Sequence, residues 1–349
     1  MILKIILALF IICFIIVAHE FGHFIIARAN GIEVKEFFVG IGPTIWSKKK
    51  GDTLFSLKLI PFGGACVFMD EEDIDHPEQC SYLQASVFAR IATVIAGPIF
   101  NFILAFVFSL FLIGSVGYTD TAIEEVTVGS PAEAAGIMPG DEVVKINGSK
   151  VYFYGEVTFD TMYNKGEPMD LVVKRNGENV KLTVVPEYNA EYGKMMMGIT
   201  FAGKNVKCTN PIQILKYGLV NVRYWIKITV KSLKQLLTGG ISVNELSGPV
   251  GITQVVSDTV DAAAPSGLKT VILSLIDLLV LISANLGVMN LLPFPALDGG
   301  KLIFLIIEAV TKKPVNRNVE GAINFVGMAL LMILMIFVLY NDVTRIFVH

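Results

Sequence analysis

The stretch Ala18-His19-Glu20-Phe21-Gly22-His23 places two imidazoles and one carboxylate in an otherwise apolar N-terminal run. On a helix, His19 and His23 are four residues apart and lie on one face, about one turn from each other. Two neutral imidazoles at that spacing can bind one Zn²⁺, and Glu20 occupies the general-base position of the H-E-x-x-H pattern. A catalytic zinc usually has three protein ligands, so this stretch predicts a third ligand elsewhere.

A short motif also matches by chance, and histidines occur as hydrogen-bonded residues in protein cores. The surroundings decide between these interpretations, because Lys4 is the one charged residue from Ile2 to Val17. Ionisable groups beside hydrocarbon are costly and tend to be functional. The context therefore favours a metal site.

The composition indicates a membrane protein. The 349 residues are 53% hydrophobic, and the mean hydropathy is +0.63. The net charge of -3 without a basic domain argues against nucleic acid as a partner. Four widely spaced cysteines without a C-x-x-C pair argue against a disulfide scaffold or a zinc ribbon.

Four segments are apolar enough over about 20 residues to cross a bilayer. They are roughly Ile2 to Ala27, Val87 to Gly114, Thr270 to Leu292 and Ala322 to Tyr340. Basic residues concentrate between the first two segments and between the last two, which predicts that both loops are cytoplasmic. Both termini and the long middle segment are then extracytoplasmic, and His19 and His23 lie near the cytoplasmic side of the cell membrane.

Between the first two helices, the sequence predicts a membrane-associated β-hairpin. Thr53 to Leu59 and Ala65 to Met69 form its strands, and Pro61-Phe62-Gly63-Gly64 forms its turn. An open sheet edge cannot face lipid, so a hairpin in the membrane must face protein, water or an extended substrate. The alternative is a soluble hairpin with an acidic tail from Asp70 to Asp75.

Residues 118–203 have the composition of a soluble domain with short strands and turns. Ser130-Pro131-Ala132, Pro139-Gly140-Asp141 and Ile146-Asn147-Gly148 occur there in an order that resembles a bacterial PDZ domain. Such domains bind extended peptides at a sheet edge. The alternative is a small β/α domain that only blocks access. In residues 204–269, Pro211 to Leu237 predicts a basic interfacial helix, and Asp261 to Gly267 a polar linker.

The third apolar segment ends in broken backbone, with Pro293, Pro295, Gly299 and Gly300 around Asp298. Broken backbone at membrane depth usually borders a cavity or a site. The predicted topology puts Asp298 at the level of the two histidines, so Asp298 is the candidate third ligand.

Other interpretations of this segment stay open. Asp298 could be an ordinary helix cap, and Asp277, deeper in the helix, is a rival ligand. Asn285 and Asn290 carry amide groups that suit either an extended peptide or packing within the helix bundle. Asn101, in the second span, reads as an interhelical contact.

Together, His19-Glu20-Phe21-Gly22-His23, Gly97-Pro98 with Asn101, the PDZ-like insert, Ser247-Gly248-Pro249 and the stretch from Asn290 to Gly299 resemble the site-2 protease family. These are intramembrane zinc metalloproteases, and the closest resemblance is to bacterial regulators that act on anti-sigma factors and signal-peptide remnants. The resemblance implies that His19, His23 and Asp298 bind zinc and that Glu20 is the catalytic base. It also implies that Asn285 and Asn290 hold the substrate backbone. Gram-negative members carry two PDZ domains, whereas this chain has room for one.

The sequence therefore predicts a polytopic α-helical membrane protein with residues 1–117 and 270–349 in the membrane part. Its expected function is intramembrane cleavage of single-span membrane proteins within the lipid bilayer. Two alternatives remain at this point. One is a membrane adaptor that binds partners through its PDZ-like domain, and the other is a different zinc peptidase with Glu308 as its third ligand.

Overall fold

The computed structural model describes residues 2–69 and 81–348, without the side chains of residues 61, 62 and 346–348. The predicted acidic tail from Asp70 to Asp75 lies outside the described residues. The chain forms two compact units, one of Met1–Phe108 with Val243–His349 and one of Ser109–Ser242.

The elements follow one another along the chain, helices and strands being numbered separately. The helices are α1 (Ile2–Ala29), α2 (Val87–Val116), α3 (Pro131–Ala134), α4 (Tyr154–Met162), α5 (Pro211–Leu237), α6 (Pro249–Ala263), α7 (Leu268–Asn290), α8 (Asp298–Thr311) and α9 (Arg317–Val348). The strands are β1 (Val34–Lys50), β2 (Thr53–Phe68), β3 (Tyr118–Thr119), β4 (Ile123–Val126), β5 (Glu142–Ile146), β6 (Ser149–Lys150), β7 (Met169–Arg175), β8 (Glu178–Val184), β9 (Glu187–Asn189), β10 (Lys194–Met196), β11 (Ile199–Phe201) and β12 (Asn205–Val206).

Among the described residues, four helices are long and apolar enough to cross a membrane, and they are α1, α2, α7 and α9. The 28 residues of α1 extend about 42 Å, which exceeds the roughly 30 Å of hydrocarbon in a bilayer. The four predicted spans are therefore confirmed as apolar helices, with ends that differ by a few residues from those predicted.

A helix that the sequence did not predict completes the core of the first unit. Pro249 begins α6, where a proline costs no helical hydrogen bond. The predicted polar linker from Asp261 therefore starts inside this helix. Val256 of α6 packs with Ile11 and Ile15 of α1 and with Leu278 of α7 in one buried cluster.

The two predicted strand stretches are present, and the chain reverses between them, but they do not pair with each other. Glu36 to Val39 of β1 pairs with Leu54 to Leu57 in the same direction and with Val67 to Gly64 in the opposite direction. The chain also reverses at Gly51 and Asp52, where the end of β1 pairs antiparallel with the start of β2. The register pairs Phe37 with both Cys66 and Phe55, so the start of β1 lies between two stretches of β2. Within the described residues, the stretch that contains Cys66 is an outer edge of this sheet.

The second unit contains a β/α domain and the helix α5. Its largest sheet has four strands in the order β6-β5-β7-β8, and β11 pairs with β4 beside it. Alternate apolar residues of β5 and β7, such as Val143, Leu171 and Val173, are buried in one core. On α5, Lys227 forms an ion pair with Glu156 of α4, and Lys231 forms one with Asp160.

Candidate metal centre and catalytic cavity

Three side chains converge where α1 approaches the start of α8. The Nε2 atoms of His19 and His23 lie 3.2 Å apart. The Oδ2 atom of Asp298 is 3.1 Å from His19 Nε2 and 3.4 Å from His23 Nε2. Ligand atoms at zinc bond lengths of about 2.0–2.2 Å in a tetrahedral site lie about 3.3–3.5 Å from one another. The three atoms therefore form a triangle of the size that one zinc ion requires.

The hydrogen-bond partner at Nδ1 of each histidine determines whether Nε2 is free to bind a metal. His23 Nδ1 lies 2.8 Å from the carbonyl oxygen of Thr93, which can only accept, so Nδ1 carries the proton and Nε2 keeps a free lone pair. His19 Nδ1 lies 3.1 Å from Nδ2 of Asn101, and Oδ1 of the same amide is buried without a partner within the described residues; a 180° turn of the amide exchanges the two atoms. With that amide oxygen turned toward His19, both Nε2 atoms are free to bind a metal.

Asp298 is held by broken backbone rather than by a helix-capping bond. The N-cap position of α8 is Leu297, and Asp298 is the first residue of the helix. No side chain caps the start of α8 with a hydrogen bond, which argues against the interpretation of Asp298 as a helix cap. Because neither Nε2 atom carries a hydrogen, Asp298 Oδ2 is buried without a hydrogen-bond donor among the described residues. A buried carboxylate oxygen without a donor is costly. A metal ion would satisfy this oxygen.

Two rival ligands lie elsewhere. The cluster that could hold a metal consists of His19, His23 and Asp298, without Asp277. Glu308 accepts two hydrogen bonds from the guanidinium of Arg90, at 3.1 Å and 2.5 Å. Glu308 is thus occupied by a charged partner, which removes the basis for a site built around it.

The metal cluster borders a cavity of about 930 Å³. Glu20 lies on its wall, and the backbone N–H of Cys66 donates to Glu20 Oε2 at 3.0 Å. This bond fixes the carboxylate between the histidines and the edge of the hairpin sheet. Burial and the charge of Glu20 raise the pKa of the Cys66 thiol to about 12. Cys66 is not part of the cluster of described residues that could hold a metal, which consists of His19, His23 and Asp298.

Known proteins resemble this chain over nearly its whole length. The sequence matches peptidase family M50 over residues 7–334. The chain belongs to peptidase family M50. The regulator of sigma-W protease RasP of Bacillus subtilis is 30% identical, with 97% of this chain and 98% of that protein aligned. The zinc metalloprotease RasP of Geobacillus kaustophilus is 31% identical over 94% of this chain and 95% of its own length. A Clostridium acetobutylicum protein named as a candidate zinc metalloprotease is 37% identical, with 97% of each chain aligned.

Family membership confirms several predictions. This M50 peptidase is a zinc metalloprotease, its cofactor is Zn²⁺, and it is a multi-pass membrane protein that acts as an intramembrane protease. The alternative of an adaptor without catalysis is therefore not supported. The triangle of His19, His23 and Asp298 fits the cofactor by distance and by ligand type.

The two asparagines of α7 differ in position. Asn290 lines the cavity, and its amide nitrogen lies 3.4 Å from His19 Nε2. Asn285 is not among the described residues that line this cavity. Five helical residues correspond to a rotation of about 140°, so both side chains cannot face one point from a regular helix. The M50 peptidase thus brings Asn290 to the site, and the role of Asn285 stays a prediction.

One face of α2 contains residues of the site that the sequence did not reveal. Thr93, Gly97 and Asn101 are each four residues apart, the same spacing as that of His19 and His23. A Cβ atom on Gly97 would lie 2.3 Å from His23 Nε2 and 2.7 Å from His19 Cε1. Gly97 therefore gives the two imidazoles their space, whereas the sequence indicated only packing or a kink. The matching four-residue repeats on the two helices were the signal that could have revealed it.

Proposed function

We propose that this M50 peptidase hydrolyses a peptide bond in or near the membrane segment of single-span proteins. The observation that carries this proposal is the convergence of His19, His23 and Asp298 with Glu20 on one cavity, beside an open sheet edge. A metal-binding triangle, a carboxylate and an edge for an extended peptide are the parts that peptide hydrolysis requires.

His19, His23 and Asp298 hold the zinc in this proposal. When bound, the zinc polarises the scissile carbonyl and lowers the pKa of a bound water to about 7. Thr93 and Asn101 keep the imidazoles in the required tautomer through their Nδ1 atoms. Gly97 leaves room for both rings.

Glu20 is the general base. The Cys66 N–H holds one of its oxygens, Oε2, so the carboxylate has a fixed orientation at the cavity wall. Glu20 takes a proton from the attacking water and later delivers it to the leaving amine. Its position directly after His19 on α1 keeps the base adjacent to the metal ligands.

The substrate lies as an extended strand against the sheet edge that contains Gly64 and Cys66. A helix buries its own amides, so the scissile segment must unwind, and the freed N–H and C=O groups then need partners. The edge backbone of β2 supplies such partners, and Asn290 supplies an amide near His19. We include Asn285, five residues before Asn290 on α7, as a second substrate contact.

The substrate class is single-span proteins of the anti-sigma-factor or signal-peptide-remnant type. The name of the Bacillus subtilis relative, a regulator of sigma-W protease, supports this choice. The active site faces the cytoplasmic side, and the β/α domain and both termini face the outside. The excess of basic residues in the loops between the first two and the last two spans supports this orientation.

The β/α domain of residues 118–203 is a PDZ-like module in this proposal. Support comes from the helix α3 started by Ser130, whose hydroxyl accepts from the Glu133 N–H, and from β11 paired to β4. Such a module would bind an extended segment of the substrate or of a partner before cleavage.

Cleavage of a single-span reporter by reconstituted wild type and Glu20→Gln tests the proposal. We expect both proteins to contain zinc, and we expect cleavage by the variant to fall on the order of 10³-fold. Glu178→Gln, at the exposed first residue of β8 in the β/α domain, is the matched control and should cleave normally. Retained cleavage by Glu20→Gln would refute the assigned base. A separate Asn285→Ala and Asn290→Ala pair tests the substrate contacts.

A further inference from the structure

The outer end of the β1–β2 hairpin carries a surface that the proposed catalysis does not use. It consists of Trp46, Leu57 and the consecutive Lys48, Lys49 and Lys50, and is named here the tryptophan–lysine patch. Trp46 and Leu57 pair across the two strands and are 55% and 42% exposed. The three lysines are also exposed. An exposed indole beside a leucine and three cations is an unusual combination for a surface that meets only water.

The register shows which way the apolar part of this patch points. The Lys48–Phe55 pair lies two residues from the Trp46–Leu57 pair, and paired residues project from the same face of a sheet. Lys48 and Lys50 therefore share the face of Trp46, and Lys49 projects from the other face. Phe55 and Leu57 are two residues apart and therefore share that face. The Phe55 ring lies 5.7 Å from the ring of Phe24 on α1. Trp46 and Leu57 thus project from the face that packs against a membrane-spanning helix.

The depth of this contact along α1 places the patch at the membrane interface. Phe24 lies 22 residues after the start of α1 at Ile2, which corresponds to about 33 Å along the helix axis. The hydrocarbon core is about 30 Å thick, so Phe24 lies near its edge when α1 starts at the opposite edge. Tryptophan is enriched at this depth because its ring is apolar and its N–H is polar.

The lysines of the patch favour lipids with anionic headgroups. Asp52, in the turn, is the acidic residue that follows Lys48, Lys49 and Lys50 most closely in sequence, and Glu36 lies two strands from Lys49 on the face away from Trp46. Basic clusters beside a membrane span attract anionic headgroups, and the attraction falls as ionic strength rises. Lysine side chains at the interface can also extend their charged ends toward the headgroups while their stems stay in apolar surroundings.

We propose that the tryptophan–lysine patch is a binding site for anionic phospholipid, with Trp46 and Leu57 in the acyl-chain boundary, Lys48 and Lys50 on the phosphates, and Lys49 adding positive charge from the other face of the sheet. The site lies at the opposite side of the sheet from the edge that contains Cys66. Lipid bound here would hold the hairpin at a fixed depth beside α1.

Trp46 fluorescence tests this proposal without any use of proteolytic activity. The chain contains two tryptophans, so the full-length Trp225→Phe variant leaves Trp46 as the single probe. We expect acyl-brominated phosphatidylcholine vesicles to quench its emission about twofold, and more strongly when about one third of the lipid is phosphatidylglycerol. The combined change of Lys48, Lys49 and Lys50 to Gln should abolish the extra effect of phosphatidylglycerol and leave the quenching in phosphatidylcholine.

Trp46→Phe, which leaves Trp225, is the matched control for general effects of lipid composition and of folding. Emission of Trp46 at the wavelength of water-exposed indole, without quenching in either lipid, would overturn the proposal. Quenching that falls as the protein-to-lipid ratio rises would also overturn it, because a second copy of the chain would then cover the patch. Equal quenching in both lipids would refute the anionic selectivity.

Discussion

Two aspartates with buried carboxylate oxygens, Asp141 in the β/α domain and Asp298 in the membrane unit, have opposite surroundings. Asp141 Oδ1 accepts from Arg175 Nε at 2.8 Å, and Oδ2 accepts from Arg175 Nη2 at 2.7 Å and from the Met138 N–H at 3.0 Å. Asp298 Oδ2 faces two imidazole nitrogens and receives no hydrogen bond within the described residues. One carboxylate is fully satisfied by the protein, and the other is not.

The difference separates a structural charge from a functional one. Removal of a satisfied buried carboxylate leaves its partner unpaired and weakens the fold. Removal of Asp298 releases a group that the protein itself does not satisfy, so the fold should tolerate it while metal binding should not. The two sites therefore predict opposite outcomes for the same Asp→Asn change.

Asp298→Asn should give the largest effect. We expect reporter cleavage to fall on the order of 10³-fold or more and the zinc content to fall from about one per chain to near zero. Helix content and thermal unfolding in the presence of a chelator should stay close to those of the wild type. Metal analysis by mass spectrometry and circular dichroism measure the two properties.

Asp277→Asn is the matched control for this prediction. It removes a carboxylate from α7 that lies outside the metal cluster, and we expect it to keep zinc. If Asp277→Asn lost zinc and Asp298→Asn retained it, the assignment of the third ligand would be wrong.

Asp141→Asn should give the second largest effect, on the fold instead of the chemistry. We expect amide protection in β5 and β7 to fall roughly a hundredfold while the zinc content is unchanged. Hydrogen exchange of the full chain measures this. Glu124→Gln breaks an exposed pair with Lys204, 3.7 Å long, in the same domain and should change protection less than about twofold. Equal effects of the two variants would mean that the Asp141–Arg175 pair contributes no more than a surface ion pair.

Most of the metal site and of the helices could be predicted from the sequence, because the signals are local. Uninterrupted apolar runs predict spans, and the spacing of His19 and His23 predicts two ligands on one face. The prediction of Asp298 as the third ligand needed one further observation, the excess of basic residues in two of the loops. Each of these inferences needs only neighbouring residues or a comparison of loops.

The features that the sequence did not reveal depend on distant contacts. The start of α6 is held by Asp342, whose Oδ2 accepts from the N–H groups of Gly248 and Gly251, more than 90 residues away in sequence. The reversal near Pro61 to Gly64 follows from local composition, whereas the insertion of the start of β1 between the two stretches of β2 depends on the register across the sheet. An asparagine in an apolar helix, such as Asn101, is typical of an interhelical contact. Only the packing of α2 on α1 brings it to His19.

Gly97→Ala should give a smaller effect that sharpens the comparison at the metal site. A methyl group on Gly97 would overlap His23 Nε2 at 2.3 Å, so the imidazoles must move although every ligand is still present. We expect zinc affinity to fall on the order of 10–100-fold, as for other residues that only orient ligands. Competition with a zinc chelator measures the affinity.

Gly321→Ala on α9 is the matched control for this change, because a Cβ atom there meets nothing within 4 Å. We expect its zinc affinity to equal that of the wild type. Wild-type affinity in Gly97→Ala as well would show that the rings do not depend on the space that this glycine leaves.

The smallest expected effect is a pH dependence in the β/α domain that follows from Asp141. Burial raises the pKa of this carboxyl, but the hydrogen bonds from Arg175 and the Met138 N–H outweigh burial and lower the pKa below its usual value of 3.8. A group with a lowered pKa in the folded state contributes stability above its unfolded pKa and loses it as the pH falls through the folded value. We therefore expect amide protection in β5, corrected for intrinsic exchange rates, to fall a few-fold as the pH drops from about 5 to about 3. Asp141→Asn should lack this part of the decline, because it has no carboxyl to protonate. An identical decline in the variant would show that other carboxyl groups control the acid stability of the domain, and the contrast between Asp141 and Asp298 would then rest on metal binding alone.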